Sequence, residues 1–200
     1  MRAALVLLAV AACWHAKPRA GQPPAYTAVG VAPDNAARAT PPPELAKTAL
    51  PVGATPRAVP LRDQDGDPWS IASASRGSAH LVLVFYRGDW CPYCRAQLAD
   101  LQAHLADFGG KGAALAAISV DSPDTSTHLA AGLGLTFRLV SDPGHRLIGA
   151  FGVFDGETEL AWPAVYILDA RGAITWRWLA DDFKTRITSA EILAALTSGR

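Results

Sequence analysis

The chain has 200 residues, half of them hydrophobic, which is enough for one domain with a sizeable core. Its 18 basic and 18 acidic side chains balance to a formal net charge of zero. This balance gives no electrostatic basis for binding nucleic acid or an anionic surface, so no nucleic-acid partner is predicted.

The first residues resemble the signal sequence of a bacterial lipoprotein. Arg2 precedes an apolar run over Ala3–Val10, and Val10-Ala11-Ala12-Cys13 has the pattern of a lipobox. The run is too short to span a bilayer, which takes about 20 apolar residues. We therefore expect residues 1–13 to be a signal segment whose Cys13 carries lipid, which anchors the protein to a membrane of the cell envelope, facing the periplasm or the exterior. The alternatives are a plain secretory signal, which would release a soluble secreted protein, and a cytoplasmic N-terminus.

Residues 14–51 are predicted to be a flexible tether. Residues 14–56 contain nine of the fifteen prolines, mixed with alanine and small polar residues, and such a composition does not form a core. Pro43 suits the first position of a short helix that would continue over Glu44–Leu50. The folded domain is predicted to span residues 52–200.

The predicted domain opens with a hairpin and a buried strand. The segments Val59–Leu61 and Pro68–Ile71 flank Asp65-Gly66, which is a turn signal. Leu81–Tyr86 is a run of six apolar residues, which predicts a strand buried on both faces. An amphipathic helix over 92–108 follows, before two glycines that would end it.

The second half alternates strands and helices. Ser122 and Pro123 suit the N-cap and first position of a helix. The other predicted elements are strands over 114–120, 136–140, 164–168 and 173–179, and helices over 144–151 and 189–196. Ile174, Trp176 and Trp178 alternate and are expected on one face. The order predicts an α/β sandwich, a central mixed sheet flanked by helices in a thioredoxin-like arrangement.

Cys91 and Cys94 carry the functional signal. They are separated by two residues at the start of a helix that follows a buried strand, a pattern typical of thiol redox chemistry. The thiolate is the reactive form, and an unperturbed thiol of pKa ~8.5 is only about 3% ionised at pH 7. Because a helix N-terminus favours an anion, Cys91 is expected to be the more exposed thiol with the lower pKa. Cys94 would face the core and close the disulfide.

Three other uses of the pair are possible. A structural zinc site takes four ligands, and the histidines show no ligand spacing around the pair. A structural disulfide would gain little stability, because the loop it closes is short. A non-enzymatic carrier could hold Cu(I) on the two thiolates, although no third ligand is evident. No metal site or cofactor is predicted beyond the cysteines.

From residue 52 to 196 the chain resembles the alkyl hydroperoxide reductase/thiol-specific antioxidant family, and in particular its peroxiredoxin-like branch that carries a CxxC. The matching segments are PVGATPRAVPLRDQDGDPWS, VLVFYRGDWCPYCRAQLADL, AISVDSP, RLVSDPGHRLIGAFGV and PAVYILDARGAITWRW. The resemblance implies a thioredoxin-like fold and an antioxidant oxidoreductase.

The resemblance to peroxiredoxins implies one set of roles. In the register of their Pro-x-x-x-Thr-x-x-Cys motif, Cys94 takes the position that attacks peroxide. Arg87 then replaces the proline and Cys91 replaces the threonine. Pro163 stands where peroxiredoxins have an arginine, three residues before Tyr166. Three peroxide-site residues are therefore absent, and Arg87 is the candidate source of the missing charge.

The resemblance to thioredoxins implies a different set. Their Trp-Cys-x-x-Cys makes Cys91 the nucleophile, and Pro163 would be the cis-proline that faces the disulfide. Phe85 occupies the position of their buried acid, so Asp89 or water would have to transfer the proton to Cys94.

Several further residues have simpler interpretations. Trp90 and Trp162 could flank the dithiol as a substrate-docking rim, or could simply pack. Trp69, Trp176 and Trp178 are expected in the core or on a sheet face. Arg186 and Asp181-Asp182 are expected to be solvated surface charges.

Two enzymatic hypotheses and one non-enzymatic hypothesis result. In the first, the protein exchanges dithiols and disulfides, with Cys91 attacking a protein disulfide and Cys94 resolving the mixed disulfide. In the second, it is a thiol peroxidase, with Cys94 oxidised to a sulfenic acid that condenses with Cys91. Both require a thiol electron donor that the sequence does not identify. The third is the Cu(I) carrier.

Overall fold

A computed structural model describes residues 40–198 of the chain. The predicted signal segment, its Cys13 and residues 14–39 of the predicted tether lie outside this range. Within it, no helix has both the length and the apolar character needed to cross a bilayer.

The described residues form a mixed α/β fold. The strands are β1 (Leu61–Asp63), β2 (Pro68–Trp69), β3 (His80–Phe85), β4 (Ala113–Ser119), β5 (Arg138–Ser141), β6 (Phe154–Asp155), β7 (Leu160–Ala161), β8 (Ala164–Asp169) and β9 (Ile174–Leu179). The helices are α1 (Pro43–Thr48), α2 (Ile71–Ala74), α3 (Pro92–Ala103), α4 (Leu105–Gly110), α5 (Pro123–Leu133), α6 (Arg146–Ala150) and α7 (Ser189–Ser198). Seven strands make one sheet in the order β2-β1-β5-β4-β3-β8-β9, and β6 pairs with β7 separately.

Strand β3 is central because its side chains are apolar on both faces. It pairs parallel with β4 and antiparallel with β8, and Leu81–Phe85 is fully buried. Val82 and Val84 face a cluster built with α3, α4, α5 and α7, whereas the alternate residues face a cluster built with α1 and α6. The predicted central sheet between helical layers is confirmed.

One predicted helix is divided in two. The helix expected over 92–108 breaks at His104, whose backbone leaves helical geometry between α3 and α4. The His104 ring Nδ1 lies 2.9 Å from the carbonyl oxygen of Asp100. The ring therefore competes with backbone N–H groups for a carbonyl of the helix. The helix start predicted at Ser122 is confirmed. Its side chain accepts a hydrogen bond from the N–H of Thr125 at the N-terminus of α5.

The prediction that Ile174, Trp176 and Trp178 of β9 share one face is wrong for Ile174. Trp176 and Trp178 pack on the cluster next to α3, but Ile174 belongs to the cluster on the opposite face. The register with β8 shifts between Ile167 and Leu168, and this bulge inserts one extra residue into β9. An inserted residue reverses the side-chain alternation beyond it.

Helix α1 packs against the domain, so the packed region begins before the predicted boundary at residue 52. Leu45 and Ala49 are buried in the cluster next to α6. The N–H of Leu50 donates to the carbonyl of Phe151 at 2.9 Å, and Arg177 donates to the carbonyls of Ala49 and Leu50. These contacts hold the entry of the chain onto the sheet.

Gly152 is the contact point for α1. Its φ is +68°, and a Cβ added there would lie 1.9 Å from the carbonyl oxygen of Thr48. The hydroxyl of Thr48 also donates to the carbonyl of Gly152 at 2.8 Å. Only glycine allows both the backbone conformation and this close approach.

Replacing Gly152 with alanine is expected to destabilise the protein by at least about 2 kcal/mol, because the positive φ and the overlap with α1 each carry a penalty. Urea unfolding of the purified protein measures the change. Gly132→Ala is the matched control, since no heavy atom lies within 4 Å of a Cβ added there, in helix α5. The control substitution should stabilise the protein, by no more than about 1 kcal/mol. Equal effects of the two substitutions would contradict this role of Gly152.

Candidate active site

The cysteine pair lies at the N-terminus of α3, just beyond the end of β3. Cys91 is the N-cap residue, with an extended backbone at φ −81° and ψ 115°, and Pro92 is the first helical residue. Proline suits this position because its missing N–H would have no helical partner there. Cys94 follows in the first turn. Both cysteines are free thiols, and both belong to the apolar cluster beneath α3.

The two thiols differ in exposure and in pKa. Cys91 retains 3% of its accessible surface and Cys94 retains none. A hydrogen bond with Cys94 is the main effect that lowers the pKa of Cys91, to about 6, while burial opposes it. Backbone N–H groups of the first helical turn and the charge of Arg186 lower it further. Burial and the bond to Cys91 both raise the pKa of Cys94. Cys91 therefore has the lower pKa of the two, as expected.

Arg186 is buried beside the sulfurs, so the expectation that it is a solvated surface charge is wrong. It retains 1% of its accessible surface. Its Nη2 lies 3.1 Å from Cys94 Sγ and 3.7 Å from Cys91 Sγ. A guanidinium this close to a thiolate favours ionisation. Cys91 carries the negative charge, but Arg186 lies nearer to Cys94. Because the two cysteines share a hydrogen bond, they act as one anionic unit beside Arg186.

The fold brings Arg186 to this place through the sheet. Strands β3 and β9 both pair antiparallel with β8, so they run in the same direction and end at the same edge. The cysteines follow β3, and Arg186 follows β9. The Nη1 of Arg186 donates to the carbonyls of Phe183 and Thr185, which fix the side chain within its own loop.

The charge on Arg186 has no carboxylate partner within residues 40–198. None of the ion pairs in this part of the chain includes it. Its Nε is buried without a hydrogen-bond partner. The cysteine pair is therefore the anionic group against which this guanidinium is buried.

Aromatic side chains lie on the segments that carry the pair and Arg186. Trp90 is 60% exposed and Phe183 is 39% exposed. The guanidinium of Arg87 lies 4.0 Å from the centre of the Phe183 ring and 5.6 Å from that of Trp90. Trp162 packs on Phe183 with ring centres 4.8 Å apart. Arg87 thus makes cation–π contacts with these two rings, and the guanidinium that contacts the sulfurs is that of Arg186.

The structure differs from a thioredoxin site at Pro163. No cis peptide bond occurs within residues 40–198, so the bond before Pro163 is trans, and the expected cis-proline is absent. Pro163 is buried, and its carbonyl accepts a hydrogen bond from the N–H of Ala180 at 3.0 Å. This bond joins the start of β8 to the loop that carries Arg186.

Acidic groups lie near the turn before the pair. The carbonyl of Asp89 accepts a hydrogen bond from Arg95, and the charge of Asp89 acts on Asp121. Burial raises the pKa of Asp121, a hydrogen bond from Ser119 lowers it, and the charge of Asp89 raises it again. Phe85, at the position of the thioredoxin acid, is fully buried in the core.

The copper alternative gains no support. In the part of the chain that the structure describes, no group of three or more His, Cys, Asp or Glu side chains is placed to hold a metal ion. Cu(I) carriers require thiolate or thioether ligands around an accessible site, and the neighbour of this pair is a cation.

Comparisons with known proteins assign the chain to a family. A family model described as the AhpC/TSA family matches residues 52–177. The chain belongs to this family. Alkyl hydroperoxide reductase E from Mycobacterium bovis is 32% identical over 153 residues, which are 74% of this chain and 99% of the relative. The AhpC/TSA assignment confirms the predicted resemblance and makes the protein a thiol-dependent oxidoreductase.

Solved structures show the same fold for this AhpC/TSA member. Peroxidoxin BcpB from Mycobacterium tuberculosis superposes with a TM-score of 0.68 at 21% identity, covering 76% of this chain and 99% of that one. Peroxiredoxin Q from Xanthomonas campestris superposes with a TM-score of 0.62 at 26% identity, covering 71% and 92%. The thioredoxin-like fold of the peroxiredoxins is therefore confirmed for the described domain.

The reduced protein is expected to show one thiolate that ionises as the pH rises through about 6, the pKa of Cys91. The thiolate absorbance in the ultraviolet measures it, and Cys91→Ser should remove it. An unfolded thiol has a pKa of ~8.5, so the folded state releases this proton more easily. The stability of the reduced protein should therefore increase between about pH 6 and 8.5, and this gain is lost as the pH falls through about 6. Two thiolates ionising together in this range would contradict the assignment.

Proposed function

We propose that the protein reduces hydroperoxides with its cysteine pair and is then regenerated by an external thiol. The observation that carries the proposal is the guanidinium of Arg186, 3.1 Å from Cys94 Sγ and 3.7 Å from Cys91 Sγ. The family's peroxide-site arginine is replaced by Pro163, and Arg186 brings a positive charge to the sulfurs from another loop. The names of the relatives, alkyl hydroperoxide reductase E and peroxiredoxin Q, support hydroperoxides as the substrate class.

The proposed reaction has two steps within the protein. The Cys91 thiolate attacks the distal peroxide oxygen, the O–O bond breaks, and the alkoxide leaves and takes a proton from water. Cys91 is then a sulfenic acid. The sulfur of Cys94 attacks it, its thiol proton leaves with the hydroxyl group as water, and a Cys91–Cys94 disulfide forms. A thiol donor reduces this disulfide by exchange.

The choice of Cys91 as the attacking sulfur follows from its environment. Its pKa is the lowered one, and it keeps some exposure, whereas Cys94 is fully buried with a raised pKa. The motif register of peroxiredoxins assigns the attack to Cys94 instead. Thiolate character and access decide thiol reactivity, and both favour Cys91.

Hydrogen peroxide should oxidise the reduced full chain much faster than a free thiol. At pH 7 a thiol of pKa 6 is about thirtyfold more ionised than one of pKa ~8.5. Because a thiolate of lower pKa is also a weaker nucleophile, ionisation accounts for less than about a thirtyfold increase. A larger increase requires stabilisation of the transition state, for which Arg186 is placed. Stopped-flow tryptophan fluorescence measures the rate, since Trp90 adjoins Cys91.

The serine variants separate the roles of the two sulfurs. Cys91→Ser should abolish the fast reaction. Cys94→Ser retains a hydroxyl donor beside Cys91 and should react once, then accumulate a sulfenic acid that dimedone traps. If Cys91→Ser is oxidised at the rate of the unmodified protein while Cys94→Ser is not, the attack belongs to Cys94.

A second candidate function is dithiol–disulfide exchange with a protein substrate. The exposed Trp90 next to a low-pKa Cys91 favours it, because a partner disulfide could dock on this ring. Slow oxidation by peroxide together with fast exchange with an oxidised protein, lost in Cys91→Ser, would select this function over the first.

We further propose that Cys13 anchors the protein to a membrane of the cell envelope, on the basis of the lipobox pattern at 10–13. Expression of the full chain in a bacterium should place it in the membrane fraction, and Cys13→Ala should move it to the soluble fraction or leave it unprocessed. Labelling with a radioactive fatty acid provides a second measurement. A Cys13→Ala protein that stays processed and membrane-bound would refute the anchor.

A further inference from the structure

We propose that Arg186 makes the Cys91–Cys94 disulfide strongly oxidising, because its buried charge stabilises the reduced pair and not the disulfide. The inference rests on the proposed function only in that the pair cycles between dithiol and disulfide. It determines which thiols can regenerate the enzyme.

The first step of the argument is the burial of the cation. Arg186 retains 1% of its surface, and its Nη2 contacts both sulfurs. Within residues 40–198 no carboxylate forms an ion pair with it, and its Nε lacks a partner. A buried charge is tolerated when an opposite charge lies against it, and removal of that partner is strongly destabilising.

The second step is the change of charge on oxidation. The reduced pair holds one thiolate and one thiol. When the disulfide forms, the thiolate charge disappears, the remaining thiol proton is released, and two electrons pass to the peroxide or to a partner disulfide. The S–S bond is neutral, so the guanidinium then lies in the apolar cluster without an anion.

The third step is that Arg186 is held in place. Its Nη1 donates to the carbonyls of Phe183 and Thr185 at 2.9 Å and 2.7 Å. The same loop is joined to helix α3 by Gln97, whose side chain donates to the carbonyl of Ile187 at 3.1 Å. The charge of Arg186 therefore stays beside the sulfurs in both redox states. It stabilises only the reduced pair, because only that state carries a negative charge.

A cysteine pair whose reduced form is selectively stabilised has a strongly oxidising disulfide. The disulfide should therefore accept electrons from weakly reducing thiols. This extends the class of donor that could regenerate the enzyme to low-molecular-weight monothiols, in addition to dithiol proteins.

The reduction potential tests the proposal directly. The full chain and Arg186→Met are equilibrated in mixtures of reduced and oxidised glutathione, and the disulfide fraction is measured by thiol alkylation and mass spectrometry. Arg186→Met should shift the equilibrium at least tenfold towards the disulfide, which equals about 30 mV for two electrons. Arg186→Lys, which keeps the charge, should lie between the two. Arg171→Met is the matched control, because Arg171 is exposed and pairs with Asp169, and it should not change the equilibrium.

A second measurement uses the unmodified protein and stays informative if Arg186→Met fails to fold. A disulfide ordinarily stabilises a folded protein by constraining its unfolded state. Here urea unfolding should show the reverse, with the reduced protein more stable than the oxidised one. A more stable oxidised protein, or an Arg186→Met variant with the potential of the unmodified protein, would overturn the proposal. Neither measurement uses peroxide, so an absence of peroxidase activity would refute the proposed function alone.

Discussion

The contact between one buried guanidinium and two sulfurs is the interaction on which the site depends. The Arg186 side chain is removed from water without a carboxylate partner in the described part of the chain. Burying such a charge costs free energy unless an anion lies against it, so the folded domain and the ionised cysteine pair stabilise each other. The proposed reactivity towards peroxide and the proposed stability of the reduced fold therefore depend on the same electrostatic contact.

The sheet makes this contact possible by bringing two distant segments to one edge. Strands β3 and β9 are not neighbours, but both run antiparallel to β8 between them and so end on the same side. The thiols lie at the start of the helix that follows β3, and the loop that follows β9 carries the cation and Phe183. Loops at the ends of rigid strands commonly carry functional residues in proteins.

Local patterns predicted the central strand, a helix N-cap and the position of the cysteine pair at the start of a helix. The apolar run of β3, the cap at Ser122 and the cysteine spacing each depend on neighbours in sequence, and each agrees with the structure. Arg186 could not be predicted in this way, because its burial results from a contact 92 residues away along the chain. An isolated arginine in a polar segment is usually solvated. Likewise, the face of Ile174 depends on a bulge that no residue pattern marks.

The docking of α1 has a consequence for how the chain is made. The carbonyl of Ala49 is held by Arg177, 128 residues later, and the seat for Thr48 is Gly152. During synthesis, α1 leaves the ribosome before the other described elements, but its binding surface is complete only when β9 has emerged. Contacts of such long sequence separation form late. Until then the apolar side of α1 remains uncovered, so most of the domain is translated before this helix can pack.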